Sequence, residues 1–172
     1  MLIDGRSGAG KTSLSAELEQ RHPLARVLHL EEVYPGWDGL DAASETLVRS
    51  VLLPLRAGRP GRYRRWDWAA DRPGPLATVP PSPLLIVEGV GALSRASRRL
   101  ADLAIWVELD DETRMTRAMA RDGAAYAPHW ERWARQERRF IGRERPRLLA
   151  DRIVRGGVYP QPSSCSCSSS MP

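Results

Sequence analysis

Apolar residues in this chain occur in two kinds of pattern: short unbroken runs, and longer stretches where they recur every three or four positions. The unbroken runs are Leu2-Ile3, Val27-Leu28-His29-Leu30, Leu84-Leu85-Ile86-Val87 and Leu103-Ala104-Ile105-Trp106-Val107. Runs of this kind suit strands buried on both faces of a parallel sheet. Between them, Leu14 and Leu18 share one face of a helix over 11–21, which His22-Pro23 stops. Leu47, Val48, Val51, Leu52 and Leu55 give helical spacing to 40–57. Pro54 should kink or shorten that helix, because it lacks an amide donor and crowds the preceding turn. Asp110 caps a helix running to about Arg121, a further helix covers roughly 128–144, and Arg152-Ile153-Val154 makes a last short strand. Strands alternating with helices predict an α/β, doubly wound fold.

Two segments break the alternation. From 58 to 83 the chain is rich in Pro, Gly, Arg and Trp, which predicts an excursion of loops and short strands carrying Tyr63, Trp66 and Trp68. The run 159–172 is Pro- and Ser-rich and holds both cysteines, Cys165 and Cys167, so it reads as a disordered tail with no metal or disulfide role.

At 172 residues the chain is long enough for one core and too short for two ordinary domains. No stretch approaches the roughly 20 apolar residues of a membrane span, and the N-terminus lacks the order of a secretion signal, so a soluble cytoplasmic protein is expected. The net charge of +5 is spread along the chain rather than gathered in a block, which argues against a nucleic-acid partner. Nearly all basic residues are arginine; Lys11 is the only lysine. A sequence that uses arginine everywhere else has kept a compact, flexible ammonium at one position, inside a glycine loop.

That loop is Gly5-Arg6-Ser7-Gly8-Ala9-Gly10-Lys11-Thr12, set between the first strand and the first helix. Strand, glycine loop and helix in this order form the phosphate-cradling arrangement of nucleotide-binding proteins. Its glycines let backbone N–H groups turn inward, and the helix directs its positive end at the same charge. Lys11 should reach the β and γ phosphates, and the Thr12 hydroxyl should bind Mg²⁺. The phosphate contacts expected are Gly5, Ser7, Gly8, Ala9, Gly10, Lys11, Thr12 and Ser13, with ATP as the donor.

Candidate partners for the loop lie at strand ends. Glu88 closes the run from Leu84 and precedes Gly89, so it could hold the metal directly or through water. Glu31 and Glu32 follow another strand, and one could take a proton from an acceptor hydroxyl; alternation alone leaves open which faces inward. Arg114, Arg117 and Arg121 fall on one helix face, which favours either a phosphate-facing role in a closing lid or a solvated arginine face. Arg64-Arg65-Trp66-Asp67-Trp68 sets a carboxylate between two indoles and could form an acceptor pocket, although tryptophans two apart also pack one side of a strand. Trp130 and Trp133 have helical spacing and read as packing residues.

The order of these motifs from Ile3 to about Gly157 resembles the uridine kinase and phosphoribulokinase branch of P-loop kinases, in particular the shorter uridine-kinase-like proteins of actinobacterial type. The resemblance implies a P-loop NTPase three-layer sandwich over 1–157. It would have five parallel strands, helices on both faces and a helical lid at about 118–145, with 158–172 as the tail. Glu31 takes the place of the family's base Asp and Tyr34 that of its Tyr. Trp66-Asp67-Trp68 is similar to the acceptor element, and Val87-Glu88-Gly89 to the strand ending in Glu-Gly. Arg114, Arg117 and Arg121-Asp122 are similar to the lid pattern.

Catalytic roles are then implied for Lys11, Glu31, Arg117 and Arg121, and acceptor contacts for Glu32, Tyr34, Trp66, Asp67 and Trp68. Two departures stand out: Glu replaces Asp at 31, and the pyrimidine-reading His has no match, Asp71 lying about where it would fall. The first strand is also short, which would weaken a sheet edge. The expected activity is an ATP- and Mg²⁺-dependent kinase of a nucleoside or sugar-like hydroxyl, as a monomer or homo-oligomer. The alternatives are a regulatory ATPase and a kinase of another small molecule, such as an antibiotic.

Overall fold

The computed structural model describes residues 1–156, apart from the side chains at 122, 124 and 125. The expected tail, with Cys165 and Cys167, and residue 157 lie outside the described residues. Five parallel strands form one sheet: β1 (Leu2–Asp4), β2 (Ala25–His29), β5 (Leu84–Glu88), β6 (Ala104–Glu108) and β7 (Arg152–Arg155), in the spatial order β2-β5-β1-β6-β7. β1 is therefore the central strand, paired on both sides, and its shortness weakens no edge.

Alternation along the strands sorts the core into two layers. Leu2, Leu28, Val87 and Ala104 face one way, into a cluster with Leu40, Leu47, Val51, Leu93 and Phe140. Ile3, Ile86, Ile105 and Val107 face the other, where Leu14 and Leu18 of α1 (Lys11–Arg21) cover them. Helices on both faces of a parallel sheet make the expected three-layer α/β sandwich.

The helical stretch from Leu40 runs through Pro54 to Arg56 without stopping. It is built from α2 (Leu40–Thr46), a π-wound segment Leu47–Leu52 and α3 (Leu53–Arg56). Pro54 stands in the first turn of α3, directly after the π-wound segment, a position where its missing amide donor is tolerated. The excursion at 58–83 is an ordered antiparallel hairpin of β3 (Gly61–Asp67) and β4 (Arg72–Val79), with an irregularity between Arg64 and Trp66. Tyr63 and Val79 anchor it in the core.

Beyond β5 lie a short helix α4 (Arg95–Arg98), then β6, then α5 (Asp111–Tyr126), capped as expected by the Asp110 side chain on the Thr113 amide. α5 continues past Arg121 and breaks at Gly123 (φ 50°, ψ −130°). A turn at Ala127–His129 leads into α6 (Trp130–Glu144), followed by α7 (Pro146–Leu149) and β7. Among the described residues, no helix is long and apolar enough to cross a membrane.

Candidate functional site

The carboxyl ends of β1, β2 and β5 open onto a cavity of about 440 Å³. Such crevices at the strand ends, where chain order reverses, are where open α/β sheets place ligands. Ser7, Gly8, Lys11 and Thr12 form one wall, and Glu88, Gly89 and Val90 the floor. Gly8 (φ 79°) has no room for a side chain: a Cβ there would lie 2.0 Å from the Arg114 carbonyl oxygen, where α5 starts against the loop.

Gly10 (φ 103°) caps α1, which carries neither a side-chain cap nor an acid in its first turn, so the helix end is left to a ligand anion. Thr12 and Ser13 stand in that turn. Gly5 leads from β1 into the loop, and the buried Ala9 donates its amide to the Arg6 carbonyl at 3.1 Å. The Lys11 ammonium, 7% exposed, donates to the same carbonyl at 3.1 Å. Burial pulls its pKa down, while Glu88, Asp4 and Glu137 oppose that shift.

The donor set beside Lys11 suits a hard cation. The Thr12 hydroxyl lies 3.2 Å from Glu88 Oε1, and His29 Nδ1 meets the same carboxylate oxygen at 2.8 Å. Burial would raise the Glu88 pKa, but the His29 hydrogen bond and the Lys11 charge outweigh it and hold the group below its ordinary value. An ionised carboxylate and a hydroxyl beside a phosphate cradle match Mg²⁺, which takes few protein ligands and completes its octahedron with phosphate oxygens and water. Among the described residues, no group of three or more His, Cys, Asp or Glu side chains forms a metal cage of its own. Gly89 lets β5 turn away beside this site, since a Cβ there would meet Leu30 Cβ at 2.5 Å.

Two acids absent from the sequence-based expectations frame the loop. Asp4, 1% exposed, accepts from the amides of Gly5 (2.7 Å), Gly91 (3.2 Å) and Leu93 (2.8 Å), joining the loop entrance to the turn after β5. Burial outweighs these bonds and lifts its carboxyl to about 7. Glu137 of α6, 0% exposed, accepts from the Ser7 amide at 2.8 Å and from Arg6 Nε at 3.1 Å. One turn earlier, Trp133 Nε1 donates to Ser7 Oγ at 3.0 Å. A signal existed for each: an acid at the end of an apolar strand, and a lone acid on the stripe Trp130, Trp133, Ala134, Phe140.

On the opposite wall the two adjacent glutamates separate. Leu30–Glu32 winds as a 3₁₀ turn, which sends successive side chains in different directions. Glu31 lines the cavity. Glu32 points to the hairpin, where it accepts from Tyr63 OH at 2.6 Å and pairs with Arg65 at 2.8 Å, so it is not an acceptor contact here. Tyr34 lines the cavity with its OH donating to the Val90 carbonyl at 2.8 Å, and Trp68 lines it with Nε1 donating to the Glu31 carbonyl at 3.1 Å.

Trp66 and Asp67 do not reach the cavity. The irregularity after Arg64 re-aims Trp66, whose ring lies against Gly36 with Nε1 buried and lacking a partner. Asp67 Oδ1 accepts from the amides of Ala69 (3.2 Å) and Ala70 (3.0 Å), so it builds the hairpin turn, the usual work of an Asp in that position. Asp71 sits exposed in the same turn at φ 46°. Trp37, Tyr126 and Trp133, which sequence spacing did not place at a site, complete the wall.

The arginine face of α5 divides along its length. Arg121 lines the cavity and Arg117 is half-buried, both with partners of their own. Arg114, two turns nearer the helix start, is buried against α6 and does not line the cavity. Its Nε donates to Asp111 at 2.8 Å, its guanidinium lies over Trp130 at 5.3 Å, and Nη1 stands 3.9 Å from Glu137.

No protein-family model matches the sequence. Curated relatives do. The chain is 27% identical over 136 residues to a uridine kinase of Latilactobacillus sakei, covering 70% of this chain and 64% of that protein. It is 30% identical over 137 residues to a uridine kinase of Staphylococcus carnosus, covering 70% of this chain and 66% of that protein. It thus spans slightly less than two thirds of these relatives' length. In fold, it is similar to the solved structure of a possible uridine kinase from Bacillus stearothermophilus, with a TM-score of 0.64 at 20% identity over 89% of this chain and 86% of that one.

Two stability outcomes follow from the buried acids. Because the folded pKa of Asp4 is raised from 3.8 to about 7, the folded state holds the proton longer than the unfolded chain. Stability from this group is full below about pH 4 and is lost as pH rises to about 7, a change on the order of 4 kcal/mol. Urea unfolding from pH 4 to 8 should show this decline, and Asp4→Asn should flatten it; parallel curves for the two proteins would refute the shift. Glu137→Ala leaves the Ser7 amide without its acceptor and takes one of two carboxylate partners from Arg6, which keeps Asp111 at 2.8 Å, and should lower unfolding free energy by roughly 2 kcal/mol. A loss under about 1 kcal/mol would mean the loop is anchored elsewhere.

Proposed function

We propose that this chain, which belongs to the uridine-kinase-like P-loop proteins, transfers the γ-phosphate of ATP to a hydroxyl group of a small molecule. The observation that carries this reading is one cavity lined by Lys11, Thr12 and Glu88, next to the phosphate loop, and by the acid Glu31 from the turn after β2. A regulatory ATPase could use such an acid to activate water; the space beside Glu31, in a cavity of about 440 Å³, is what favours a larger hydroxyl-bearing acceptor.

In this reading the loop amides and the start of α1 hold the triphosphate, and Lys11 follows the charge on the β and γ phosphates. Mg²⁺, when bound through Thr12 and Glu88, neutralises phosphate charge and aligns the transferred group. Glu31 accepts the acceptor's hydroxyl proton while that oxygen forms the new P–O bond. The bond between the γ-phosphorus and the β–γ bridging oxygen breaks, and ADP leaves with the electron pair. Arg121 lines the same cavity and balances charge on the phosphoryl oxygens, with Arg117 one turn behind it on α5.

Replacing Lys11 by Ala should raise the barrier by about 2.7 to 4 kcal/mol, the scale for loss of one transition-state donor; unchanged turnover in a folded Lys11→Ala protein rules the mechanism out. Glu31→Gln should retain ATP binding, measured by calorimetry, and lose about 10² to 10⁴ in phosphoryl transfer. Full rate in that variant would remove Glu31 as the base.

A further inference from the structure

The cavity wall facing the phosphate loop is aromatic, and its hydrogen-bonding atoms are largely taken up by the protein. Tyr34, Trp37, Trp68, Tyr126 and Trp133 line it. They brace one another: Trp37 lies 5.0 Å from Trp68 and stacks on Tyr126 at 5.4 Å, while Tyr34 meets Trp133 edge-on at 4.7 Å. His129 backs Trp37, stacked at 4.3 Å. Burial raises the Tyr34 pKa well above its ordinary value, so this wall carries no phenolate there.

Three of the polar tips are engaged internally: Tyr34 OH with the Val90 carbonyl, Trp68 Nε1 with the Glu31 carbonyl, and Trp133 Nε1 with Ser7 Oγ. The other polar side chains on the cavity among the described residues are Ser7, Lys11, Thr12, Glu88 and Arg121 toward the phosphates, and Glu31 at the boundary. No Asn, Gln or His stands among them to read the edge of a base, and the turn bearing Asp71 lies on the hairpin rather than on the cavity.

We propose that the acceptor is an alcohol carried on a flat, weakly polar ring, with its hydroxyl at Glu31 and its ring against Trp37 and Trp68. The inference rests on the kinase reading above and specifies its substrate class. A pyrimidine buried here would leave its carbonyl and N–H edge short of partners, and a polyol sugar its hydroxyls, each a cost that an unreadable wall imposes. A planar ring instead gains from offset and edge-on contact with the indoles. A cationic amino alcohol would also suit indole faces, but Lys11 and Arg121 line the same cavity as Glu31 and Glu88, so its charge meets both signs there and gains no net advantage. In the transfer step the ring alcohol supplies the attacking oxygen, its proton passes to Glu31, and ADP leaves.

The test uses the full chain with Mg²⁺ and a non-hydrolysable ATP analogue, following tryptophan emission against benzyl alcohol and hydroxymethylnaphthalene, uridine, a hexose and choline. The ring alcohols should bind at least tenfold more tightly than the other three. Trp68→Leu should weaken them about tenfold while analogue affinity by calorimetry changes less than twofold, and Trp68→Phe should restore most of the binding. Preference for uridine, hexose or choline, absence of binding by the ring alcohols, or indifference to Trp68→Leu overturns the inference. ADP release with ATP and the same panel separates the two claims. Ring alcohols that bind without releasing ADP remove the kinase reading, whereas ADP release selective for a nucleoside or sugar retains it and removes the ring-alcohol acceptor.

Discussion

The Glu137 carboxylate, wholly buried on α6, divides its oxygens between the Ser7 amide and the Arg6 guanidinium, and through them the helix after α5 holds the phosphate loop. A buried acid of this kind persists only where its acceptor capacity is filled, because an unpaired charge away from water is costly. The consequence reaches past the loop. Trp133, one turn earlier, holds Ser7 Oγ, and Gln136 holds the carbonyl of Trp37 at 2.6 Å. Arg132 pairs with Asp38 and Arg143 with Asp41, so the same helix also anchors the segment that carries the aromatic wall. The glycine loop and the aromatic wall keep their spacing because one helix grips both.

Charge balance in the cavity depends on that arrangement. Lys11 stands among Glu88, Asp4 and Glu137, each of which offsets part of the desolvation it suffers. Asp4 is lifted to about 7 and so carries only a partial charge near neutral pH, while Glu88 is kept ionised by His29 and Lys11. Two acids within one small site thus have different charge states, set by how many partners of positive charge each finds. The ionised one is the one beside Thr12, where a cation has use for it.

The side of the cavity that carries Glu31 follows a different logic. Its one carboxylate on the cavity, Glu31, is selected over its neighbour by the 3₁₀ winding of three residues and by the hairpin, whose Tyr63 and Arg65 capture Glu32. Burial, with the Glu32 hydrogen bond, pushes the Tyr63 hydroxyl up to about 12, so the contact stays a neutral donor on a carboxylate. Around Glu31 the wall is built of aromatic rings, three of whose polar tips are bonded within the protein.

By itself the sequence determined the layered α/β fold, the phosphate loop with its lone lysine, and Glu88 at its strand end. Each is local: a run of apolar residues, an eight-residue motif, an acid before a glycine. The arginine stripe on α5 was legible too, but whether each member meets solvent, cavity or core depends on where α6 crosses it, and Arg114 is covered while Arg121 is not. That Trp66, Asp67 and Glu32 do not line the cavity is not legible in the sequence, because a strand irregularity, a side-chain-capped turn and a 3₁₀ turn each replace the regular alternation on which such readings rest. Only the tertiary structure could bring Glu137 to Ser7, 130 residues away along the chain, or gather five aromatic rings from three separate segments onto one wall. Contacts of that range leave no periodic trace in a sequence, since neither partner's neighbours along the chain report the other's presence.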